Sequence, residues 1–371
     1  MENLFQSLDA LTIKHLVMFV IGGVLIYLAI VKNYEPLLLL PIGFGAILAN
    51  MPFSSAVGEN GFLTLLYNAG IRTELFPVLI FVAVGAMVDF TPLLERPFMI
   101  YFGAAAQFGI FMTTILALLF GFRLNEAVSI GIIGAADGPT SIYVSNLLAP
   151  HLLGPISVAA YSYMALIPLI QPPVIRMLTS PEERRIRMGV VQTKRVTRLT
   201  RIFFPITVTF VAGLLAPMSV ALVGSLMFGN LVRECGVMER LSKTAQNELA
   251  NLVTLLLGIT IGSTMTAESF LTVQTGLIIG MGLLAFIFDT AGGVLFAKLI
   301  NVFRREKINP MVGAAGISAF PMSARVIQQM ARKEDPENIL LMQAVSANVA
   351  GQIGSIVASG ILLSLVSNLI F

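Results

Sequence analysis

Long stretches without a charged residue alternate with short polar clusters along this chain. The uncharged runs are Leu16 to Val31, Leu37 to Met51, Pro97 to Phe122, Ile202 to Leu231, Leu249 to Ala267, Ser269 to Phe288 and Ile339 to Phe371. A membrane-spanning helix needs about 20 apolar residues, so the run Pro97 to Phe122 is long enough, whereas Phe76 to Val88 is short and reads as broken or tilted. The pattern predicts an all-α polytopic membrane protein with roughly nine to eleven passes.

Composition agrees with the pattern. Hydrophobic residues make up 56% of the 371 positions and charged residues only 12%, which lies outside the range of soluble domains. The net charge of +3 is concentrated between Arg176 and Arg201, where six further basic residues including Arg184, Arg187, Lys194 and Arg195 oppose Glu182 and Glu183. Beside membrane spans such a run is a topology signal, so the 176–201 loop is expected to face the cytoplasm and not to bind nucleic acid. It divides the chain into an N-terminal transmembrane half, 1–175, and a C-terminal half, 202–371. Lys14 and His15 precede the first apolar run and no small-residue cleavage site follows it, so an uncleaved first helix is expected.

Several chemistries lack their residues. One cysteine, Cys235, and two histidines, His15 and His151, form no pattern that ligates zinc, haem or an iron–sulfur cluster. The chain carries neither a P-loop nor the Met-Lys-Met context of attached biotin, so energy for any pumping must come from an ion gradient or a partner. The 32 glycines and 18 methionines read as close helix packing and core or lipid-facing filler, not as a metal path.

Within the apolar pattern one charge is out of place. Gly134-Ala135-Ala136-Asp137-Gly138-Pro139-Thr140-Ser141 sets a carboxylate among helix breakers, inside a stretch from Leu124 to Ile175 whose only other charge is Glu126. An Asp at bilayer depth costs roughly 2.5–3.5 kcal/mol, so it is seldom retained without a task. Gly134 and Gly138 permit unusual backbone angles, and Pro139 suits the start of a new helix, which puts Asp137 or Gly138 at its cap within a broken helix at 131–145. Non-helical backbone at this depth must be buried or line a wet cavity, and a carboxylate with carbonyls and hydroxyls suits a hard cation. With one carboxylate in the motif, sodium is the expected ion.

The motif has an echo. Gly313-Ala314-Ala315-Gly316 follows Gly134-Ala135-Ala136-Asp137 at a separation of 179 positions, and Glu268 follows Asp89 at the same separation. Duplicated halves with interrupted helices are a transporter signature, and inverted halves would bring the two breaks together at a shared site near the midplane. The second broken segment, 309–325, offers Asn309 and Ser318 as neutral oxygens, flexible Gly313 and Gly316, and a break at Pro321. If helical across Pro321, Ser318 and Arg325 would share a face.

Gly131 through Thr140 and Asn309-Pro310 through Arg325, together with the plan of nearly the whole chain, resemble the membrane-embedded beta subunit of the biotin-dependent sodium-pumping decarboxylases, which act on oxaloacetate, methylmalonyl-CoA, glutaconyl-CoA or malonate. The resemblance implies that this subunit decarboxylates carboxybiotin presented by a partner, takes up a proton and exports sodium ions across the cell's inner (plasma) membrane. It makes Asp137 the sodium and proton carboxylate, Tyr163 a functional tyrosine and Arg325 a catalytic residue. Asp137, Asn309, Gly313, Ser318 and Asn348 are then the expected sodium positions. Implied partners are a biotin carrier, a carboxyltransferase, a small gamma/delta-type membrane subunit and further copies of this chain. The cofactors implied are the sodium ion and carboxybiotin, with none covalently bound here.

A stand-alone sodium-coupled transporter or sodium/proton antiporter would share the duplication and the midplane carboxylate, and a purely structural anchor would need neither. Asp89 and Glu268 read as span ends. Asp289, between Phe288 and Thr290, is a second-tier site candidate expected to pair with Lys298.

Overall fold

A computed structural model describes residues 9–189 and 196–370. Lys194 and Arg195 of the basic loop lie outside the described residues. Every regular element among the described residues is helical. The principal helices are α1 (Ile13–Val31), α2 (Pro36–Ala49), α3 (Leu75–Met87), α4 (Phe108–Leu119), α5 (Leu124–Gly131), α6 (Gly138–Leu148), α7 (Leu153–Leu178), α8 (Arg198–Leu215), α9 (Val220–Glu234), α10 (Ala250–Ser263), α11 (Val273–Phe303), α12 (Met322–Glu334) and α13 (Leu341–Ile370).

Among the described residues six helices are long and apolar enough to cross a membrane, and a seventh span is formed if Phe62–Ile71 and α3, which meet at a bend of 62°, are taken together. The expected nine to eleven passes are not reached by this measure, because interruptions divide the apolar runs. The run Ile202 to Leu231 is two helices, α8 and α9, parted at Ala216-Pro217 where proline removes a donor and disfavours helix before it. The run Ser269 to Phe288 instead enters, from Val273, a 31-residue helix, α11, which continues through Asp289 to Phe303.

Burial sorts the helices into layers. In the apolar windows of α7 and α13, 67% of residues are buried, against 11% in α8 and 22% in α1. The two outer helices turn Leu16, Val20, Ile30, Phe203, Phe210 and Leu214 outward, as a lipid-facing surface requires. One core cluster joins residues of α4, α5, α7, α11, α12 and α13, and a second joins α1, α2 and α10.

Two helix pairs are built alike. In α2 against α10, a Cβ on Gly45 or Gly262 would collide with the facing backbone, and the same holds for Gly85 and Gly229 where α3 meets α9. Such close approach lets backbones pack through van der Waals contact in lipid. Each pair is pinned by a buried asparagine: Asn50 Nδ2 donates to Met265 O at 2.7 Å, and Asn230 Nδ2 donates to Val88 O at 3.0 Å.

At the basic end, Arg184 is buried and donates to Glu334 Oε1 at 2.7 Å and to the Thr179 carbonyl at 2.6 Å. Arg187 bridges Asp335 and Glu337. These basic residues therefore bind the start of the loop to the end of α12. Asp89 and Glu268 stand at helix ends, Asp89 accepting from Thr91 N at 2.9 Å and Glu268 exposed in a short helix.

Candidate functional site

The first break runs from a single-turn tightened helix, Ile132–Ala135, to the start of α6. Asp137 is the N-cap of α6, with Gly138 and Pro139 occupying its first turn. Its carboxylate is 6% exposed and accepts from Thr140 Oγ1 at 2.6 Å, while the Thr140 amide lies 3.5 Å from the other oxygen. A carboxylate at an N-cap is favoured by the orphan amides and the helix dipole. The left-handed residue is Ala136, at φ 53°, and neither Gly134 nor Gly138 has a positive φ. Those glycines serve close approach instead, since a Cβ on Gly138 would strike the Tyr161 ring.

The second break spans residues 315–321, between a one-turn helix, Met311–Ala314, and α12. Because this stretch is not helical, Ser318 and Arg325 do not share a face: Ser318 is 2% exposed and Arg325 points outward. The two breaks touch directly, the Ser318 amide donating to the Ala135 carbonyl at 3.2 Å.

Helix α13 holds the second break from behind. Asn348 Nδ2 donates to Ile317 O at 2.6 Å, Ser318 Oγ reaches Gly351 O at 2.8 Å and Ser355 Oγ at 2.6 Å, and Gln352 Nε2 donates to the Ser318 carbonyl. Asn348 Oδ1 is buried and has no partner among the described residues. Gln352 and Ser355 were not among the expected positions, although Asn348, Gln352 and Ser355 follow each other at helical spacing in an apolar run.

The expected site residues thus separate into groups. Asp137 and Ser318 lie where the breaks meet, with Asn348 bonded to the same segment as Ser318. Asn309 is fully buried but donates to the Arg184 and Ile186 carbonyls at 2.8 and 2.9 Å, which ties it to the basic loop. Gly313 packs against Gly293 of α11, where a Cβ on either would strike the other's backbone. Tyr163 donates to Ile279 O at 2.6 Å and packs on Phe286, both in α11. Arg325 makes no salt bridge among the described residues.

Tyr161, not singled out by sequence, is the tyrosine beside the first break. It is 1% exposed, its hydroxyl has no partner among the described residues, and a Cβ on Gly138, next to Asp137, would stand 2.6 Å from that hydroxyl. Asp289 is fully buried in α11 and is not paired with Lys298, which bonds Glu183 at 3.2 Å and Leu178 O at 3.0 Å. Nine residues along a helix is about 13 Å, too far for contact.

Asp137 bonded to Thr140, the Tyr161 hydroxyl beside Gly138, and the Ser318 and Ser355 hydroxyls at the second break concentrate oxygen atoms around one carboxyl group where the breaks meet. Such a set suits a hard monovalent cation better than a soft metal.

Comparison with known proteins finds relatives along nearly the whole chain. Residues 14–366 match the family of the Na+-transporting oxaloacetate decarboxylase beta subunit. Glutaconyl-CoA decarboxylase subunit beta of Acidaminococcus fermentans is 54% identical over 357 residues, covering 96% of this chain and 94% of that protein. Methylmalonyl-CoA decarboxylase subunit beta of Propionigenium modestum is 50% identical over 380 residues, covering 96% and 95%. The probable oxaloacetate decarboxylase beta chain of Vibrio cholerae is 44% identical over 433 residues, covering 99% and 100%. With interrupted helices meeting at a buried carboxylate and a family match along almost its entire length, this chain belongs to the beta subunits of the Na+-transporting decarboxylases.

Proposed function

We propose that this membrane subunit decarboxylates carboxybiotin brought by a partner subunit and that Asp137 couples the step to sodium export. The observation that carries the proposal is the bond from the Ser318 amide to the Ala135 carbonyl, which joins the two breaks two residues from a carboxylate that is 6% exposed. A lone charge so placed needs a counter-ion, and the surrounding oxygens suit sodium.

The chemistry balances through a proton. When the N–C bond of carboxybiotin breaks, carbon dioxide leaves and the ureido nitrogen takes up one proton. A carboxylate that holds either a sodium ion or a proton can supply it, and deprotonated Asp137 then accepts the next sodium ion. Sodium and proton are mutually exclusive at Asp137, so release of one admits the other. Tyr161, Ser318, Asn348 and Ser355 complete the oxygen cage. Asn309 and Gly313 act at a distance, by fixing the segment before the second break. Arg325, directed outward one turn into α12, is the charge available to meet an anionic substrate.

The two halves, 1–175 and 202–371, are read as an inverted duplication, supported by the matched pairs of α2 with α10 and α3 with α9. The basic loop between them faces the cytoplasm of a cell whose inner membrane the chain crosses. There it meets the biotin carrier and carboxyltransferase, with a small gamma/delta-type membrane subunit and further copies of this chain completing the complex. Sodium-dependent decarboxylation of carboxybiotin by the assembled complex tests the proposal. Asp137→Asn should abolish it, and an Asp137→Asn complex with undiminished sodium-dependent turnover would refute it.

A further inference from the structure

Asp289 is the other carboxylate buried at the heart of the fold, and the coupling scheme leaves it without a task. Its Oδ1 accepts from the Gly109 amide at 2.6 Å, in the first turn of α4. That helix end exists only because the span Pro97–Leu119 is interrupted at Ala106 and Gln107. Its Oδ2 has no hydrogen-bond partner among the described residues, and the side chain is fully buried. This free oxygen is aimed at the first break: a Cβ built on Gly134 would stand 2.7 Å from it.

One carboxylate group therefore stands between two helix interruptions, capping α4 on one side and abutting the segment that carries Ala136 and Asp137 on the other. A side chain with a single oxygen could cap α4 as well, and a buried polar atom left without a partner carries a desolvation cost. A second oxygen kept at that cost, standing against Gly134, has its use in the first break.

We infer that Asp289 is a positioning residue for the cation site, holding Gly134 and hence the left-handed turn at Ala136 so that Asp137 faces the second break. The inference rests on the reading of Asp137 as the sodium carboxylate. A displacement of about 1 Å in such a site can cost up to ~100-fold, so the effect should be large enough to measure.

The test uses the full chain in its complex, with Asp289→Asn and Asp289→Ala. Three quantities are read: the sodium concentration for half-maximal decarboxylation, the maximal rate, and the upward shift of the melting midpoint on adding sodium. Asp289→Asn retains an oxygen to accept from Gly109 and so should melt near the wild type without sodium. It should nevertheless need about tenfold more sodium for half-maximal rate while keeping its maximal rate within about twofold. Asp289→Ala should show at least the same sodium requirement with a lower melting midpoint.

An Asp289→Asn complex with the wild-type sodium requirement would overturn the inference, and so would a fall in maximal rate with no change in that requirement. A wild-type complex that showed no sodium-dependent melting shift would instead remove the Asp137 reading, and this inference with it. The two failures are therefore distinguishable.

Discussion

At the first break Asp137 closes its hydrogen bonds within its own segment, through Thr140, while at the second break the main chain of residues 317–319 is held from outside by Asn348 and Gln352 of α13. One break carries the charge and caps itself. The other carries only neutral groups and depends on a neighbouring helix that is among the most deeply buried in the molecule. On the proposed function the difference divides the work: a self-capped carboxylate would exchange a cation without unpicking a network, and a clamped partner segment gives it a fixed wall to face.

The comparison breaks most readily at the charge. Replacing Asp137 with Asn should lower sodium-dependent decarboxylation at least about 100-fold, the range expected for losing a proton-transfer group. The complex should still assemble, as gel filtration of the solubilised variant would show.

Next in size is the contrast between two tyrosines on one helix. Tyr161→Phe should raise the half-saturating sodium concentration roughly tenfold, because it removes a hydroxyl beside Asp137. Tyr163→Phe should leave that concentration unchanged and cost only about 1 kcal/mol of stability, the bond to the Ile279 carbonyl. Equal sodium requirements in the two variants would contradict the assignment.

The clamp on the second break is tested by Gln352→Ala, which strips the Ser318 carbonyl of its buried donor. It should destabilise the protein by about 1–3 kcal/mol, measured by thermal unfolding in detergent, whereas Thr140→Val at the self-capped break should act chiefly on sodium dependence.

The smallest effect is at the surface end of α12. Hydrogen bonding from Arg187 holds the Asp335 carboxyl below its ordinary value of 3.8. A depressed carboxyl contributes stability that is present above its unfolded value and is lost as pH falls through the folded one. The melting midpoint of the wild type should therefore drop on acidification below 3.8, and Asp335→Asn should drop less. Salt should shrink the difference, since the pair is solvent-exposed.

Much of the first break was legible in the residues. A charge flanked by Gly138 and Pro139 announces both an interruption and a cap, and the structure places Asp137 at that cap. The turn itself differs from the expectation, because glycine is the usual left-handed residue and here Ala136 takes that role. The choice between Tyr161 and Tyr163 could not be made from spacing. Residues two apart on a helix point about 200° apart, and in an apolar span no polar face reveals which side looks inward.

The interruption at Ala106 and Gln107 carries neither glycine nor proline, and its capping carboxylate comes from α11, far along the chain, so no local signal marked it. The interruption at Pro217 did carry a signal, which the uncharged run obscured. Asn309 showed its chemistry but not its partner, because the carbonyls it meets belong to the basic loop.

Equilibrium binding of radioactive sodium to the purified complex, wild type against Asp137→Asn, addresses the central claim without relying on turnover. The wild type should bind sodium saturably and release it as protons are added, and the variant should lose that binding. Saturable, proton-sensitive binding that survives in Asp137→Asn would place the ion elsewhere and contradict the account.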